Sequence, residues 1–276
     1  MHRVELLDQR TRRVRVEAGA RWAQVAETLS RYGLAISSGG HGNVGVGWLV
    51  TAGGVGWLVR RYGLTIDHVQ AVDVVLADGT LVHADAAHEP DLFWAVRGAG
   101  AGVGIVVAFE IEALELSSVG YAQIVVETDR QGRTLTRWAE LMAEAPRDLS
   151  SAVMLVPYGN GLAMSITAVV AAESARRVRP AVAPLPTIGV KLLDQRAQLV
   201  PYPALVSTAH LHPNIGQQPS ITTNGLLTMT DDNARAIMGV ATDRRQPLNQ
   251  MRSMGGAVND RDGAADLIVD RRGRSG

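Results

Sequence analysis

Ser37-Ser38-Gly39-Gly40-His41-Gly42-Asn43-Val44-Gly45-Val46-Gly47, followed closely by Gly53-Gly54-Val55-Gly56-Trp57-Leu58, is the stretch on which the fold turns. Glycine at Gly39, Gly40, Gly42, Gly45, Gly47, Gly53, Gly54 and Gly56 is too dense for a regular element, so residues 39–56 read as loop and tight turn. Upstream, Arg13-Val14-Arg15-Val16-Glu17 alternates like a strand, Gly19 turns it, and Trp22, Val25, Ala26 and Leu29 recur at helical spacing until Gly33 ends the helix. Downstream, Asp67 to Leu76 reads as a buried strand, Asp78-Gly79 as a two-residue hairpin turn, and Leu81-Val82-His83-Ala84 as the returning strand.

A second glycine cluster completes this half. Glu89-Pro90-Asp91 opens a short helix, with proline and acids where the helix dipole favours them, and Gly98 stops it. Gly98, Gly100, Gly102 and Gly104 then lead into a strand from Ile105 to Ile111. These glycines stand after a helix and before a strand. The Rossmann dinucleotide fingerprint needs the reverse order, which excludes that fold.

From Tyr121 the texture changes, to a strand over 122–127, a helix over 134–145, and strands over 151–156 and 162–170. A boundary is therefore expected at Ser117-Ser118, giving one domain over 1–118 and a second over 119–257. Pro180, Pro184 and Pro186 mark a linker, and Pro201, Pro203, Pro213 and Pro219 keep residues 200–220 irregular apart from a short turn. A strand Leu226-Leu227-Thr228-Met229 and a helix from Asp231 to Thr242 follow. Residues 258–276 carry little apolar surface and are expected to fray.

Composition narrows the chemistry. The 276 residues hold 27 basic and 27 acidic side chains, so no net field draws nucleic acid or an anionic membrane, and small neutral partners are favoured. No apolar run is long enough to span a membrane. The absence of cysteine excludes disulfides, zinc-thiolate sites, cysteine nucleophiles and any thioether link to a cofactor. Lys191 is the single lysine, which leaves Schiff-base catalysis or a P-loop lysine almost nowhere to sit. With no secretory pattern behind Met1-His2-Arg3-Val4-Glu5, a cytoplasmic location is expected.

Glycine runs bring backbone amides close to a ligand with no side chain between, which suits a pyrophosphate or the flat face of a flavin; they equally serve as plain packing turns. The strings decide between these. The run from Ser37 to Gly47, Gly53-Gly54-Val55-Gly56-Trp57-Leu58, Arg61-Tyr62-Gly63-Leu64-Thr65-Ile66-Asp67, Val74-Val75-Leu76-Ala77-Asp78-Gly79, Pro90-Asp91-Leu92-Phe93-Trp94-Ala95-Val96-Arg97-Gly98 and Gly104-Ile105-Val106-Val107 together resemble the berberine bridge enzyme-like and 6-hydroxynicotine oxidase-like FAD-linked oxidases. The resemblance covers residues 1 to about 116 strongly and the rest loosely.

What it implies is an α+β protein. A partial PCMH-type FAD-binding domain would be followed by a substrate domain with an antiparallel sheet and covering helices. FAD would be the cofactor, and a small alcohol, amine or sugar-like molecule the hydride donor. The cofactor positions implied are His41, Gly42, Asn43, Val44, Gly45, Gly47, Gly53 and Gly54, with Ile105 and Val106 flanking the adenosine half. No catalytic residue is assigned, and the oligomeric state is open.

Several features depart from the family pattern. Members carry an upstream subdomain with a pyrophosphate loop and often a flavin-linked histidine, and the present sequence is expected to start after it, so His2 does not take that role. His41 stands where doubly linked members have the flavin-bonded cysteine. It is either near the flavin edge or a solvent-facing loop residue. Trp48 and Ala52 replace glycines, and Gly102-Val103 replaces a polar-aromatic pair; side chains here are expected to crowd the cofactor.

Other candidates have plainer explanations. His210 and His212 lack the acidic neighbours of a metal site, so no metal is expected. Asp231-Asp232 reads as helix cap and first turn, and Arg60-Arg61 and Arg176-Arg177 as solvated charges. Phe93 and Trp94 read as core, and Tyr202 as a packed loop tyrosine or one facing the flavin. Three functions stay open: an FAD-linked oxidase or dehydrogenase, a non-catalytic remnant that does not hold FAD, and a nicotinamide-using flavin reductase. Bound flavin separates the first two.

Overall fold

Alternation builds the first sheet. In the computed structural model, which describes residues 1–99, 102–206, 225–242 and 250–260, strands β1 (Val4–Asp8) and β2 (Arg13–Glu17) pair antiparallel, with Val14 and Val16 buried and the arginines between them facing out. Helix α1 (Trp22–Ser30) buries Trp22, Val25, Ala26 and Leu29, the one-sided stripe expected of it. A short strand β3 (Leu34–Ala35) follows, then α2 (Val46–Thr51) and α3 (Val59–Tyr62). Helix α2 lies inside the stretch expected to be loop throughout. Its Val46, Leu49 and Val50 are buried at helical spacing, and the surrounding glycines mask that pattern in the sequence.

Strands β4 (Val69–Val75) and β5 (Leu81–Asp85) form the expected hairpin, preceded by a 3-10 turn over Thr65–His68 where the strand was expected to have begun. The connection has three residues rather than two. Leu76 and Thr80 still bond, and Gly79 at φ +87° supplies the left-handed position that such a loop needs. Helix α4 (Pro90–Ala99) buries Phe93 and loses helical geometry at Arg97 and Gly98. Trp94, read as core, is 46% exposed, since the step of about 100° from Phe93 turns it away from the side that Phe93 and Val96 bury. Strand β6 (Ile105–Glu112) and the short β7 (Leu114–Glu115) close the segment. The sheet order is β1-β2-β6-β4-β5, and β3 pairs with β7.

Phe109 on β6 stands in register between Val16 and Val72, which places an aromatic ring at the centre of the buried face. The other face is a ladder of charge. Arg13 pairs with Glu110 at 2.5 Å, and Asp73 binds both Arg15 and His83, the latter at 2.7 Å.

A second sheet is built from β8 (Ser118–Glu127), β9 (Leu149–Tyr158), β10 (Gly161–Val170), β11 (Lys191–Pro201) and β12 (Gln250–Arg252) in the order β11-β8-β10-β9-β12. Helices α5 (Arg133–Glu144), α6 (Ala175–Val182) and α8 (Asp231–Thr242) cover one face, with Ile124, Met164, Ile166, Leu135 and Trp138 among the buried side chains. The expected linker is therefore α6, a 3-10 turn over Leu185–Thr187, and β11. Pro180 costs α6 one backbone bond, but Val178 and Val182 on one side are buried, and that tertiary packing overrides the proline. Residues 226–229 form no strand. They lead instead to Thr230, whose hydroxyl accepts the Asn233 amide at 3.2 Å and caps α8, with Asp231 and Asp232 in the first turn.

Contacts divide the chain into two compact units. One holds residues 1–118 with 201–206 and 256–260, and the other holds 119–200 with 225–242 and 250–255. The units are thus interleaved, where the sequence reading expected 119–257 as one continuous domain. Helix α7 (Tyr202–Leu205) belongs to the first unit, as does a 3-10 turn over Gly256–Asn259. Residue 258, expected to open a frayed tail, is a buried valine packed with that unit, and Gly256 presses on the Arg60 carbonyl. Residues 261–276 lie outside the described residues.

Candidate functional site

The glycine-rich segment is sewn to the start of α1 by its backbone. Ala23 and Trp22 donate to the carbonyls of Gly42 and Val44 at 2.9 and 3.2 Å, and Val46 donates back to Ala20 at 2.9 Å. Arg21 reaches across to the Asn43 carbonyl at 3.0 Å and bridges Gly45. The amides that open α1 are satisfied by loop carbonyls in place of a capping side chain. Residues 41–45 are left as a turn on the rim of the unit, with His41 exposed and Asn43, Val44 and Gly45 half-buried.

The glycines serve different ends. A Cβ on Gly42 would overlap the Val206 carbonyl, one on Gly54 would overlap the Thr65 hydroxyl, and one on Gly47 would come within 3.1 Å of the Ala18 carbonyl. At Gly42 and Gly54 the chain's own atoms fill the space, and at Gly47 a Cβ would need Ala18 to give way slightly. Gly53 and Gly54 are buried, and their carbonyls accept from Ile66 and Thr65 at 3.0 and 3.1 Å. Gly45 is the exception: a Cβ there would meet nothing within 4 Å, and its backbone at φ −69°, ψ 141° needs no glycine. No acceptor among the described residues takes the Asn43 or Gly45 amide. A bare, outward backbone with undirected amides fits the approach of a flat or anionic group such as a flavin dinucleotide.

Ala18 ties the end of the glycine-rich turn to β6: its amide donates to the Val107 carbonyl and its carbonyl accepts from Gly47, both at 2.9 Å. Ile105 is 68% exposed and Val106 is half-buried. Trp48, expected to crowd the loop, is 72% exposed and directs its ring to solvent. Of the expected cofactor positions, His41 and Ile105 are exposed, Asn43, Val44, Gly45, Gly47 and Val106 are half-buried, and Gly42, Gly53 and Gly54 are buried.

Two further residues matter here, Arg21, which the sequence reading did not single out, and Tyr202, which is packed as one of its two readings had it. Arg21 carries no local signal, because its partner lies 22 residues away. Tyr202 is buried, and its hydroxyl donates to the Ile36 carbonyl at 2.8 Å and lies 3.3 Å from the Ser38 hydroxyl. Burial pushes its phenol pKa up, only partly offset by the bond to Ser38, so it remains a protonated donor. Arg60, read as a solvated charge, is buried. Arg177 is an exposed partner of Asp148, as a surface charge should be. His210 and His212 lie outside the described residues, and no group of three metal-ligating side chains occurs among those described. No described helix is long and apolar enough to cross a membrane.

Residues 1–85 match a family model described as an FAD binding domain. An FAD-linked oxidoreductase, sorD, of Penicillium rubens is 36% identical over 161 residues, covering 56% of this chain and 34% of that protein. Berberine bridge enzyme-like 24 of Arabidopsis thaliana is 34% identical over 160 residues, covering 53% and 29%. Among solved structures, a chitooligosaccharide oxidase superposes with a TM-score of 0.81 at 24% identity, covering 96% of this chain and 59% of that one. The chain spans about a third of the length of the curated relatives it matches.

Proposed function

We propose that this chain, whose first 85 residues belong to the FAD binding domain family and which shares the α+β fold of the FAD-linked oxidases, works as part of an FAD-dependent oxidase or dehydrogenase. Its substrate would be a small alcohol, amine or sugar-like molecule. The observation that carries this reading is Gly45, a glycine of the matched loop at which a Cβ would meet nothing within 4 Å and whose backbone is ordinary extended. When bound, FAD accepts hydride from the substrate and passes the electrons on. The chain's own residues would hold and orient it. Asn43 and Gly45 would donate backbone amides, Arg21 would keep the turn closed through Asn43, and Ile105 and Val106 would present apolar surface beside it. His41, exposed two residues before Asn43, is the titratable side chain nearest in sequence to that contact. With no cysteine in the chain, no thioether to the flavin forms.

A second reading, that the chain keeps the fold without holding FAD, is favoured by Gly42 and Gly54, whose small size is accounted for by internal packing. Purified protein is mixed with FAD, desalted and scanned in the visible. Retained bands at roughly 370 and 450 nm support the oxidoreductase. A colourless, folded eluate supports the second reading.

A further inference from the structure

Three segments far apart in sequence are joined by buried hydroxyl groups. Ser37 donates to the Gly63 carbonyl at 3.3 Å, and Thr65 Oγ1 lies 2.5 Å from the Ser37 carbonyl and 3.2 Å from that of Gly54. Ser38 Oγ lies 3.3 Å from the Gly39 carbonyl and the same distance from Tyr202 Oη, which itself donates to Ile36. All four hydroxyl residues are buried, so each bond is made away from water and a missing one is not replaced cheaply.

Tyr202 differs from the other three in origin. It enters on α7, more than 160 residues after the loop it touches, and its own amide is tied to the Ser117 carbonyl at 3.0 Å. At the end of the same turn the Val206 carbonyl presses on Gly42. Residues 36–42 are thereby held at both ends: Tyr202 grips Ile36 and Ser38, and Val206 backs Gly42. The next residues are the outward turn at Asn43–Gly45.

We propose that Tyr202 is a positioning residue for the cofactor loop, its hydroxyl fixing residues 36–42 so that the turn ending at Gly45 keeps its outward backbone. This rests on the reading of that turn as the flavin contact. Packing alone does not require the hydroxyl, since phenylalanine would fill the same space. The directed contacts of the hydroxyl with both the Ile36 carbonyl and the Ser38 hydroxyl are what set the loop.

The test uses the full chain with Tyr202→Phe and, separately, Ser38→Ala, followed by amide hydrogen exchange and by FAD titration. Tyr202→Phe is expected to speed exchange about tenfold across residues 36–45 and leave β8, β9 and β10 as protected as before. FAD affinity falls about tenfold and the flavin band shifts, which a general loss of stability would not produce. Unchanged loop exchange, or faster exchange with unaltered FAD affinity, overturns the proposal. If Tyr202→Phe does not fold, the loop exchange of Ser38→Ala decides in the same way. If the wild-type chain binds no FAD, the function proposed above fails, and exchange in the free proteins still decides whether Tyr202 sets the loop.

Discussion

Gly56 lies directly against Ser38: a Cβ on Gly56 would overlap the Ser38 carbonyl oxygen and crowd the Gly39 amide at 3.4 Å. Both partners are backbone, so neither yields by a rotamer change. Gly56→Ala is expected to destabilise the first unit by about 3 kcal/mol or more. Urea denaturation followed by tryptophan fluorescence checks this, and a midpoint equal to wild type would show that the two segments are not packed as described.

Gly45 gives the opposite expectation. Its backbone is in the extended region and its Cβ direction is open, so Gly45→Ala reduces the freedom of the unfolded chain without native strain. Stability should hold or rise by about 0.4–1 kcal/mol. FAD affinity should fall about tenfold, equivalent to ~1.4 kcal/mol, because a methyl group now stands where bare backbone met the ligand. Fluorescence titration of FAD beside a thermal melt separates the two. Full affinity with raised stability would move the flavin contact away from residue 45.

The contrast between these glycines marks how far the sequence could be read. Helix α1 and strand β2 were legible because Trp22, Val25, Ala26 and Leu29, and Val14 and Val16, repeat at the periods of their elements. Helix α2 was not, since Gly45 and Gly47 break the texture around Val46, Leu49 and Val50. Gly42 and Gly45 are equivalent in the string. What tells them apart is Val206, more than 160 residues away, whose carbonyl fills one position and not the other. Arg60 was misread for the same reason, because Gly256, which lies against its carbonyl, comes almost 200 residues later, in what read as the end of the second domain. Non-local packing, invisible to periodicity, decided each of these.

In the second unit, Trp138 on α5 donates its indole N–H to Ser151 Oγ at 3.1 Å, and Ser151 is in turn bonded to Ser253 beside β12 through both backbone and hydroxyl. A large buried ring is thus satisfied by a strand hydroxyl. Trp138→Phe should cost about 2 kcal/mol, combining lost ring volume with a lost buried bond. In a double-mutant cycle, Ser151→Ala should cost less in the Trp138→Phe background than in wild type, since the shared bond is already gone. Strict additivity of the two would mean that the indole does not depend on Ser151.

Asp73 ties the charged face of the first sheet to acid. Burial works against its carboxylate, but hydrogen bonds from His83 and Arg15, with the Arg15 charge, outweigh that and bring its pKa below the usual value. A carboxylate depressed in the folded state stabilises the fold above its unfolded pKa of about 3.9, and that contribution disappears as pH falls through the lower folded value. Asp129 behaves alike: burial raises its pKa, and the amides of Arg133 and Thr134 at the head of α5, with the Thr134 hydroxyl, pull it down further. Stability should therefore fall from about pH 5 downward. Asp73→Asn should flatten that fall while lowering stability at neutral pH, where the wild-type ion pairs are intact. Urea midpoints at several pH values between neutrality and pH 3 for the two proteins read this directly, and parallel curves would show that Asp73 titrates alike in the folded and unfolded chains.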